Sequence, residues 1–432
     1  MIEILGQIII WIILVCAVVG VIGAIRDEKA GIGKEFMTAF EQLGLIFIPF
    51  AGMLASMPYI EKFVVFVFGG LFEEVGADIS IAGALIMAPD MGGYQITKSL
   101  AESPETWMIA LFVSYLSGPI ICYSIPMGFS LIDKRDHKYF GLGIMAGILS
   151  IPFGVMTMTL ILKFAGTPVR SELSNIVESD FNLLYSWGLI WINMLPIVVF
   201  CIILALLLRF FIDIMVKAFL IFGTALTVAI KIVLVISIIE YFTGFFSKIF
   251  SNWGFAPIIA DAEDQFRALE NAGYIALMLA GAYPMIYLID KYFGKSLQKL
   301  GSKCGFTSEG SIGIFAACAE QIAMFGIVRK MIPEDKVKVV AFSVCGSWIL
   351  GAHISITANF QPNLLAIILI GKLIGGIVAV FISLYLSVPM ARKLEAKDRE
   401  RGLIGTEEYL ADEEVLAQKG NKKRRRKGEN SK

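Results

Sequence analysis

The feature that most constrains this chain is a series of apolar stretches, each about as long as a membrane is thick. A helix needs about 20 predominantly apolar residues to cross the hydrocarbon core of a bilayer. Nine stretches of the 432-residue chain qualify, at roughly 4–25, 37–60, 107–132, 140–163, 183–212, 215–243, 273–290, 339–358 and 363–390. We therefore predict an all-α polytopic membrane protein with about 9 to 11 transmembrane segments.

Composition agrees with this prediction and gives no reason to expect a nucleic-acid partner. Hydrophobic residues make up 57% of the chain and charged residues 17%, which favours lipid over water as the surrounding solvent. Lys plus Arg equal Asp plus Glu at 37 each, so net charge gives no reason to expect a nucleic-acid partner. The first residues lack a basic segment, and residues 4–25 are interpreted as a retained span rather than a signal peptide.

Two further apolar stretches, 79–98 and 311–330, carry a carboxylate near the middle, Asp90 and Glu320. Each either crosses the membrane or re-enters it. Basic residues of short loops are enriched on the cytoplasmic side, and they gather at 26–34, 134–138, 209–217, 291–303 and 329–338. If both stretches re-enter, every basic cluster lies in the cytoplasm. We favour that arrangement, which puts the N-terminus outside and the C-terminus inside.

The order of the stretches indicates an internal repeat. A shift of 230 residues aligns Gly83 with Gly313, Asp90 with Glu320, Phe112 with Phe342 and Ser117 with Ser347. The identity is slight, so chance is the alternative, but the two halves would have opposite orientations. Inverted repeats are common in secondary transporters, whose substrate sites lie near the midplane at broken or re-entrant helices. The predicted division is 1–182 for the first repeat, 183–212 for a linking helix, 213–390 for the second repeat and 391–432 for a charged cytoplasmic tail.

The tail ends in a basic run at 422–427. Such a run either meets anionic lipid headgroups or is a solvated end with no specific role.

Five ionisable residues lie inside apolar stretches, namely Glu41, Asp90, Lys231, Glu320 and Lys372. A charge at the centre of a transmembrane helix costs about 2.5 to 3.5 kcal/mol on insertion scales, so each is a functional candidate. The alternative is that they pair with one another for structural reasons.

Asp90 has the most informative surroundings, the sequence Ala-Pro-Asp-Met-Gly-Gly-Tyr at 88–94. The proline removes an amide donor, and Gly92 and Gly93 loosen the backbone, so we predict a helix break. Irregular backbone at membrane depth is tolerated where it is buried in protein or lines a wet cavity. The alternative is a hinge in which Asp90 serves only as a helix cap.

Tyr94 and Gln95 follow directly and complete a set suited to a hydroxylated ammonium. The carboxylate of Asp90 would pair with the amine, the polar groups would bind the hydroxyl, and the tyrosine ring would make a cation–π contact. Glu320, with Gln321 beside it, is the counterpart from the other repeat. It would either complete the amine site or accept protons.

A third polar cluster closes a span at 351–363. His353, Thr357, Asn359 and Gln361 belong to it, and it would either bind substrate or a coupling cation or form a polar turn between helices. His353 is either a proton relay or, more commonly, a packing residue.

Enzyme chemistry is not indicated. The six cysteines form no CxxC pair, and the chain has no HExxH, no P-loop and no plausible catalytic triad. We predict no cofactor and no bound metal.

Several blocks of the chain resemble one known family, the ethanolamine-utilisation permease family EutH. The matching blocks are 82–94, which contains Asp-Met-Gly-Gly, 117–126, which contains Gly-Pro and Ser-Ile-Pro, 336–342, 357–362 and 371–376. The similarity extends over roughly 36–390. It implies a bacterial inner-membrane permease that takes up ethanolamine for catabolism by other proteins. The chain departs from the expected pattern at Ala352, where an Asp is expected, and at Glu320, where a neutral residue is expected. The moved charge would give a rearranged amine pocket or a related substrate.

The sequence thus predicts a carrier that works by alternating access, with a small amine as ligand and the bilayer as surroundings. The substrate-binding candidates are Asp90, Gly92, Gly93, Tyr94, Gln95, Glu320, Gln321, His353, Thr357, Asn359 and Gln361. The rival functions are transport of another small solute and a membrane sensor that transports nothing. A homo-oligomer is possible, and the sequence does not decide the oligomeric state.

Overall fold

A computed structural model describes residues 2–400 except 173, 175, 176, 251, 252 and 263. Within these residues the chain is helical, and the single β-bridge joins Val169 and Phe181. Most of the predicted tail, from 401 onward, lies outside the described residues. Its first part is helical, because the last helix extends to Glu400.

The helices are α1 (Ile2–Arg26), α2 (Gly31–Ala55), α3 (Met57–Val75), α4 (Ser80–Ile86), α5 (Gly93–Leu100), α6 (Pro104–Leu116), α7 (Ile125–Leu131), α8 (His137–Ile148), α9 (Ile151–Ala165), α10 (Trp187–Phe210), α11 (Ile212–Thr243), α12 (Phe245–Ile249), α13 (Ala268–Lys303), α14 (Ser308–Ala319), α15 (Gln321–Val328), α16 (Pro333–Gly346), α17 (Ala352–Phe360), α18 (Leu365–Leu386) and α19 (Val388–Glu400). Short 3₁₀ turns occur at Pro89–Met91, Lys134–Asp136 and Pro362–Leu364, and a π-helical turn at Ile120–Ser124.

Eight helical stretches are long and apolar enough to cross a membrane, so the chain is a multi-pass helical membrane protein, as predicted. They are Ile2–Arg26, Gly31–Ala55, Pro104–Leu131, Lys134–Ala165, Trp187–Phe210, Ile212–Thr243, Ala268–Lys303 and Pro362–Leu386. The ninth apolar stretch, 339–358, is not one helix, because α16 ends at Gly346 and α17 begins at Ala352. The stretches 79–98 and 311–330 are also interrupted.

Local sequence explains where many helices begin and end. Ser103 and Thr106 form a capping box at the start of α6, in which each side chain binds the other residue's backbone amide. Ser186 caps α10 in the simpler way, by accepting from the amide of Leu189. Gly166 ends α9 in the left-handed conformation that favours glycine.

The centre of the protein is a bundle in which α16 packs against α8 and α18, and α18 packs against α9. Helices α6 and α16 are buried along almost their whole length, whereas α1 and α11 bury few side chains. Apolar side chains of α1 and α11, such as Trp11 and Ile221, are exposed on the outside of the bundle, as expected for helices that contact lipid.

Small residues let α8 and α16 approach closely. A methyl group added to Gly143 would lie 2.6 Å from Cβ of Val340, and one added to Gly147 would lie 2.6 Å from Cβ of Val344. Glycines four residues apart on one helix are typical of close packing in membranes, where apolar side chains gain little by leaving lipid. This contact joins the two predicted halves of the chain.

Helix bounds also follow the predicted shift of 230 residues. The shift carries α4 onto 310–316 within α14, and it carries α6 onto 334–346, which is α16 less its first residue. The correspondence concerns bounds along the chain. The opposite orientation of the two halves stays a prediction.

Candidate functional site

Asp90 lies where the chain stops being helical between α4 and α5. Helix α4 ends at Ile86, an extended segment follows, and Asp90 is in the 3₁₀ turn before Gly92. Gly92 has φ +89°, a conformation that only glycine adopts readily. A Cβ added to Gly93 would lie 2.5 Å from the carbonyl oxygen of Met87 and 2.6 Å from that of Ala88. The two glycines are therefore required by the shape of the break.

Serines at the C-terminal end of α6, Ser114 within the helix and Ser117 as its C-cap, satisfy carbonyl groups at the break. The hydroxyl of Ser114 donates to the Met87 carbonyl at 2.7 Å, and the hydroxyl of Ser117 donates to the Leu85 carbonyl at 2.7 Å. A carbonyl oxygen left alone at membrane depth costs several kcal/mol, on the order of 2 to 7. The broken segment is thus held against α6 by specific hydrogen bonds.

The Asp90 carboxylate has no ion-pair partner in the described chain. Its side chain is half-buried, and no described Lys or Arg nitrogen lies within 4 Å of it. Lys372 of α18 interacts with it electrostatically over a longer distance. Its ammonium group is buried and donates a hydrogen bond to the backbone carbonyl of Tyr115 at 3.1 Å.

Glu320 lies at the corresponding break between α14 and α15. Its backbone is extended, with φ −152° and ψ 123°, between helices that end at Ala319 and begin at Gln321. The carboxylate accepts a hydrogen bond from the indole nitrogen of Trp348 at 3.1 Å. It has no described ion-pair partner within 4 Å and interacts electrostatically with Asp90. We therefore assign the two carboxylates to one candidate site.

Trp348 is positioned by an unusual segment between α16 and α17. Its φ of +54° makes it the one non-glycine residue with positive φ among the described residues. The amide of Trp348 donates to the carbonyl of Ala317 at 3.1 Å, and that of Leu350 donates to Cys318 at 2.9 Å. The end of α14 thus fixes this linker. A strained backbone held by its surroundings is common at functional sites, with a cost of about 1 to 3 kcal/mol.

A row of aromatic rings starts at Trp348, which contacts Glu320. The ring centroids of Tyr123 and Trp348 are 5.8 Å apart, those of Trp348 and His353 are 5.4 Å apart, and those of His353 and Tyr115 are 5.3 Å apart. Tyr123 interacts electrostatically with both Asp90 and Glu320. Negative groups combined with aromatic faces suit an organic cation.

Sequence reasoning missed Tyr123 and Trp348. Both are aromatic residues inside apolar runs, where such residues usually pack or face lipid. One usable signal was available, because the Gly-Pro at 118–119 marks an irregular stretch of helix. The π-helical turn that contains Tyr123 begins directly after it, and such turns are frequent at functional sites.

Gln321 is completely buried and connects three segments. It accepts a hydrogen bond from the hydroxyl of Ser124 and donates one to the hydroxyl of Ser343 at 3.2 Å. Gln95 is half-buried, and its side-chain carbonyl has no hydrogen-bond partner in the described chain. Tyr94 is buried, with its ring 5.4 Å from that of Phe360. Gln95 thus has an acceptor to offer a ligand, whereas the polar groups of Gln321 are used inside the protein.

The predicted cluster at 351–363 makes hydrogen bonds within the protein. Asn359 donates to the carbonyl of Tyr274 at 3.0 Å, and Gln361 pairs with the backbone amide and carbonyl of Arg170 at 2.9 Å each. These bonds attach α17 to α13 and to the loop after α9. Their occupied amides favour the polar-turn interpretation for Asn359 and Gln361.

Two members of the same cluster lie beside the aromatic rings. The hydroxyl groups of Thr357 and Tyr115 are 2.7 Å apart, and Thr357 also donates to the carbonyl of His353 at 2.6 Å. His353 is buried between the rings of Tyr115 and Trp348, and its Nδ1 has no hydrogen-bond partner in the described chain. Within that chain, no group of His, Cys, Asp and Glu is arranged to hold a metal ion.

The other two charged candidates lie at the periphery. The side chains of Glu41 on α2 and Lys231 on α11 are exposed on the outside of the bundle. Neither belongs to the cluster around Asp90.

Comparison with known proteins identifies the family. The model of the family described as "Ethanolamine utilisation protein, EutH" matches residues 5–386. The chain belongs to the EutH family. The resemblance seen in the sequence blocks is thereby confirmed over nearly the whole chain. No solved structure matches the chain significantly.

Relatives of this EutH-family chain come from several bacteria. The probable ethanolamine permease EutH of Listeria monocytogenes is 29% identical over 91% of this chain and 98% of its own length. Proteins with the same name from Escherichia coli and Salmonella typhimurium are 29% and 30% identical, and each match covers 84% of this chain and 88% of the relative.

Proposed function

We propose that this protein is an ethanolamine permease of a bacterial inner membrane. The single observation that carries the proposal is the pair of carboxylates, Asp90 and Glu320, at two helix breaks with aromatic rings beside them and no described ion-pair partner. The relatives' names supply the particular amine, since they are called probable ethanolamine permeases.

The physical reason is the cost of moving an ammonium ion through hydrocarbon. A bare charge at the bilayer centre is strongly disfavoured, so a carrier must present a compensating group at that depth. A substrate ammonium would bind between the two carboxylates and over the faces of Tyr123 and Trp348. Its hydroxyl group would bind the free side-chain carbonyl of Gln95.

Movement between the two sides would follow the division of the chain. Asp90 belongs to the first predicted repeat and Glu320 to the second, so relative rocking of the halves would open the site to each side in turn. The cytoplasmic C-terminus is part of this proposal, as is a role in supplying ethanolamine for catabolism by other proteins.

Uptake of labelled ethanolamine tests the proposal directly. Cells that lack their own ethanolamine permease would express the wild type, Asp90→Asn or Glu41→Gln. Asp90→Asn removes a negative charge and keeps the shape, so we expect uptake to fall at least tenfold. Glu41→Gln is the matched control, because Glu41 is an apolar-stretch carboxylate on the periphery. Equal uptake by the wild type and Asp90→Asn would refute the proposal.

Deletion of 401–432, which leaves the ion pair between Asp398 and Lys138 in place, separates a carrier from a sensor. A carrier keeps most of its transport without the tail, whereas a sensor that signals through the tail loses its output.

A further inference from the structure

Lys372 is a buried cation whose charge interacts with Asp90 of the proposed amine site. It lies in α18, where Gly371 and Gly375 allow close packing of α9 and α16. An added Cβ at Gly375 would be 2.9 Å from Cβ of Cys345 and 3.4 Å from Cα of Gly154. The lysine side chain is 1% exposed, so it has no route to snorkel to water.

Other buried lysines differ from Lys372 in having acidic partners. Lys336 lies 2.6 Å from a carboxylate oxygen of Asp136, and Lys338 lies 2.8 Å from one of Asp335. The Lys372 ammonium has no carboxylate oxygen within 4 Å in the described chain, and its hydrogen bond goes to a backbone carbonyl. No described carboxylate therefore neutralises the ammonium by direct contact, and its charge interacts with Asp90 over a longer distance.

The charges of the site can then be counted. With both carboxylates ionised and the lysine protonated, Asp90 and Glu320 contribute minus two and Lys372 contributes plus one. The other titratable groups found to interact with them in the described chain are cysteines and tyrosines, which are uncharged in their ordinary forms at pH 6.5, and a histidine, whose burial disfavours a second positive charge. They are Tyr115, Cys122, Tyr123, Tyr283, Cys318, Cys345 and His353. The sum is minus one.

We propose that Lys372 sets the net charge of the site to minus one and so selects a monovalent ammonium over a diamine. This inference rests on the proposed function, because it concerns the substrate class of the same site. A monovalent amine makes the loaded site neutral. A diamine would leave a net positive charge in a low-dielectric environment, where an unbalanced charge is costly. Lys372 is thus a specificity-determining residue that need not touch the substrate.

Inhibition by a diamine tests the proposal. Purified protein in liposomes would take up labelled ethanolamine at pH 6.5, where the lysine and both amines are protonated, against unlabelled ethanolamine or 1,3-diaminopropane. We expect the wild type to need at least tenfold more diamine than ethanolamine for half inhibition. In Lys372→Met the site carries minus two, and we expect the ratio to fall about tenfold. Equal inhibition of the wild type by both compounds overturns the proposal without any variant.

A compensating variant separates charge from packing. Asp90→Asn alone leaves a net charge of zero, and the double variant Asp90→Asn with Lys372→Met restores minus one. If charge is what matters, the double variant regains part of the uptake lost in Asp90→Asn. If Lys372 only fills space, the double variant is no better than Asp90→Asn, and the proposal is overturned. Lys372→Gln serves as a second neutral variant if the methionine protein does not reach the membrane.

These outcomes are distinct from failure of the proposed function. If the wild type takes up no ethanolamine, the function fails. Binding of ethanolamine and 1,3-diaminopropane, read as a thermal shift of the purified protein, then tests the charge preference alone. If the wild type transports ethanolamine and Lys372→Met keeps the wild-type diamine ratio, the function stands and this inference fails.

Discussion

Gly93 is the residue whose replacement by alanine tests the geometry of the Asp90 break most sharply. The added Cβ would lie 2.5 and 2.6 Å from two backbone carbonyl oxygens, Met87 and Ala88, and closer still to the hydroxyl of Ser114. Real Cβ atoms essentially never come within 3.0 Å of such atoms. Backbone cannot move aside as a flexible side chain can, so α5 must shift by roughly 0.5 to 1 Å, because interiors are closely packed.

A shift of that size displaces Asp90 relative to the other groups of the candidate binding site. Misplacement of a binding group by about 1 Å can cost on the order of 100-fold in rate, so we expect Gly93→Ala to lower ethanolamine uptake about 10- to 100-fold. Gly44→Ala is the matched control. Gly44 is inside α2 with nothing within 4 Å of an added Cβ, and alanine favours a helix over glycine by about 1 kcal/mol.

The assay combines uptake rates in liposomes with the melting temperature of each purified protein. We expect Gly44→Ala to transport as the wild type does and to melt no lower. Wild-type kinetics in a folded Gly93→Ala protein would refute the account of the break.

Three further predictions follow from individual contacts. Trp348→Phe removes the indole donor to Glu320, and hydrogen bonds to charged groups contribute about 1.5 to 3 kcal/mol. The KM for ethanolamine should therefore change at least several-fold, whereas the control Trp11→Phe on the periphery should leave it unchanged. Gln361→Ala leaves the backbone amide and carbonyl of Arg170 without their side-chain partner, so we expect a lower melting temperature and an unchanged preference for ethanolamine over 1,3-diaminopropane. A changed preference would show that Gln361 binds substrate. Cys304 is exposed beside a loop predicted to be cytoplasmic, so a membrane-impermeant maleimide should label it in opened but not in intact cells, and labelling in intact cells would reverse the predicted orientation.

Much of the fold could be predicted because a helix that crosses a bilayer must be apolar over a known length. The length of an apolar run and the placement of basic residues indicate spans and loops without knowledge of packing. The first break was also predictable, because Pro89, Gly92 and Gly93 are residues that interrupt a helix.

The second break carried a weaker signal. Glu320 interrupts its helix without a proline or glycine on either side, and its position was inferred from charge and from the shift of 230 residues. The interruption at 347–351 was missed, since the sequence there is apolar and its irregular backbone depends on bonds to α14. Helix α3 was not predicted as a unit because its charged residues reduce its hydropathy.

The charged residues of the candidate site could be singled out from the sequence, and its aromatic residues could not. Asp90, Glu320 and Lys372 stand out in an apolar chain because each costs free energy there. Tyr123 and Trp348 have ordinary residue types for a membrane protein, and only the folded backbone directs them toward the carboxylates. Asn359 and Gln361 show the reverse problem, since polar side chains that looked available for substrate are occupied by structural hydrogen bonds.

The central claim is that carboxylates at the two helix breaks bind the amine. Isothermal titration of purified protein with ethanolamine measures this directly, with the wild type compared with the double variant Asp90→Asn and Glu320→Gln. The account predicts saturable binding by the wild type and at least a 100-fold weaker affinity in a double variant that remains folded. Unchanged affinity in that variant would contradict it.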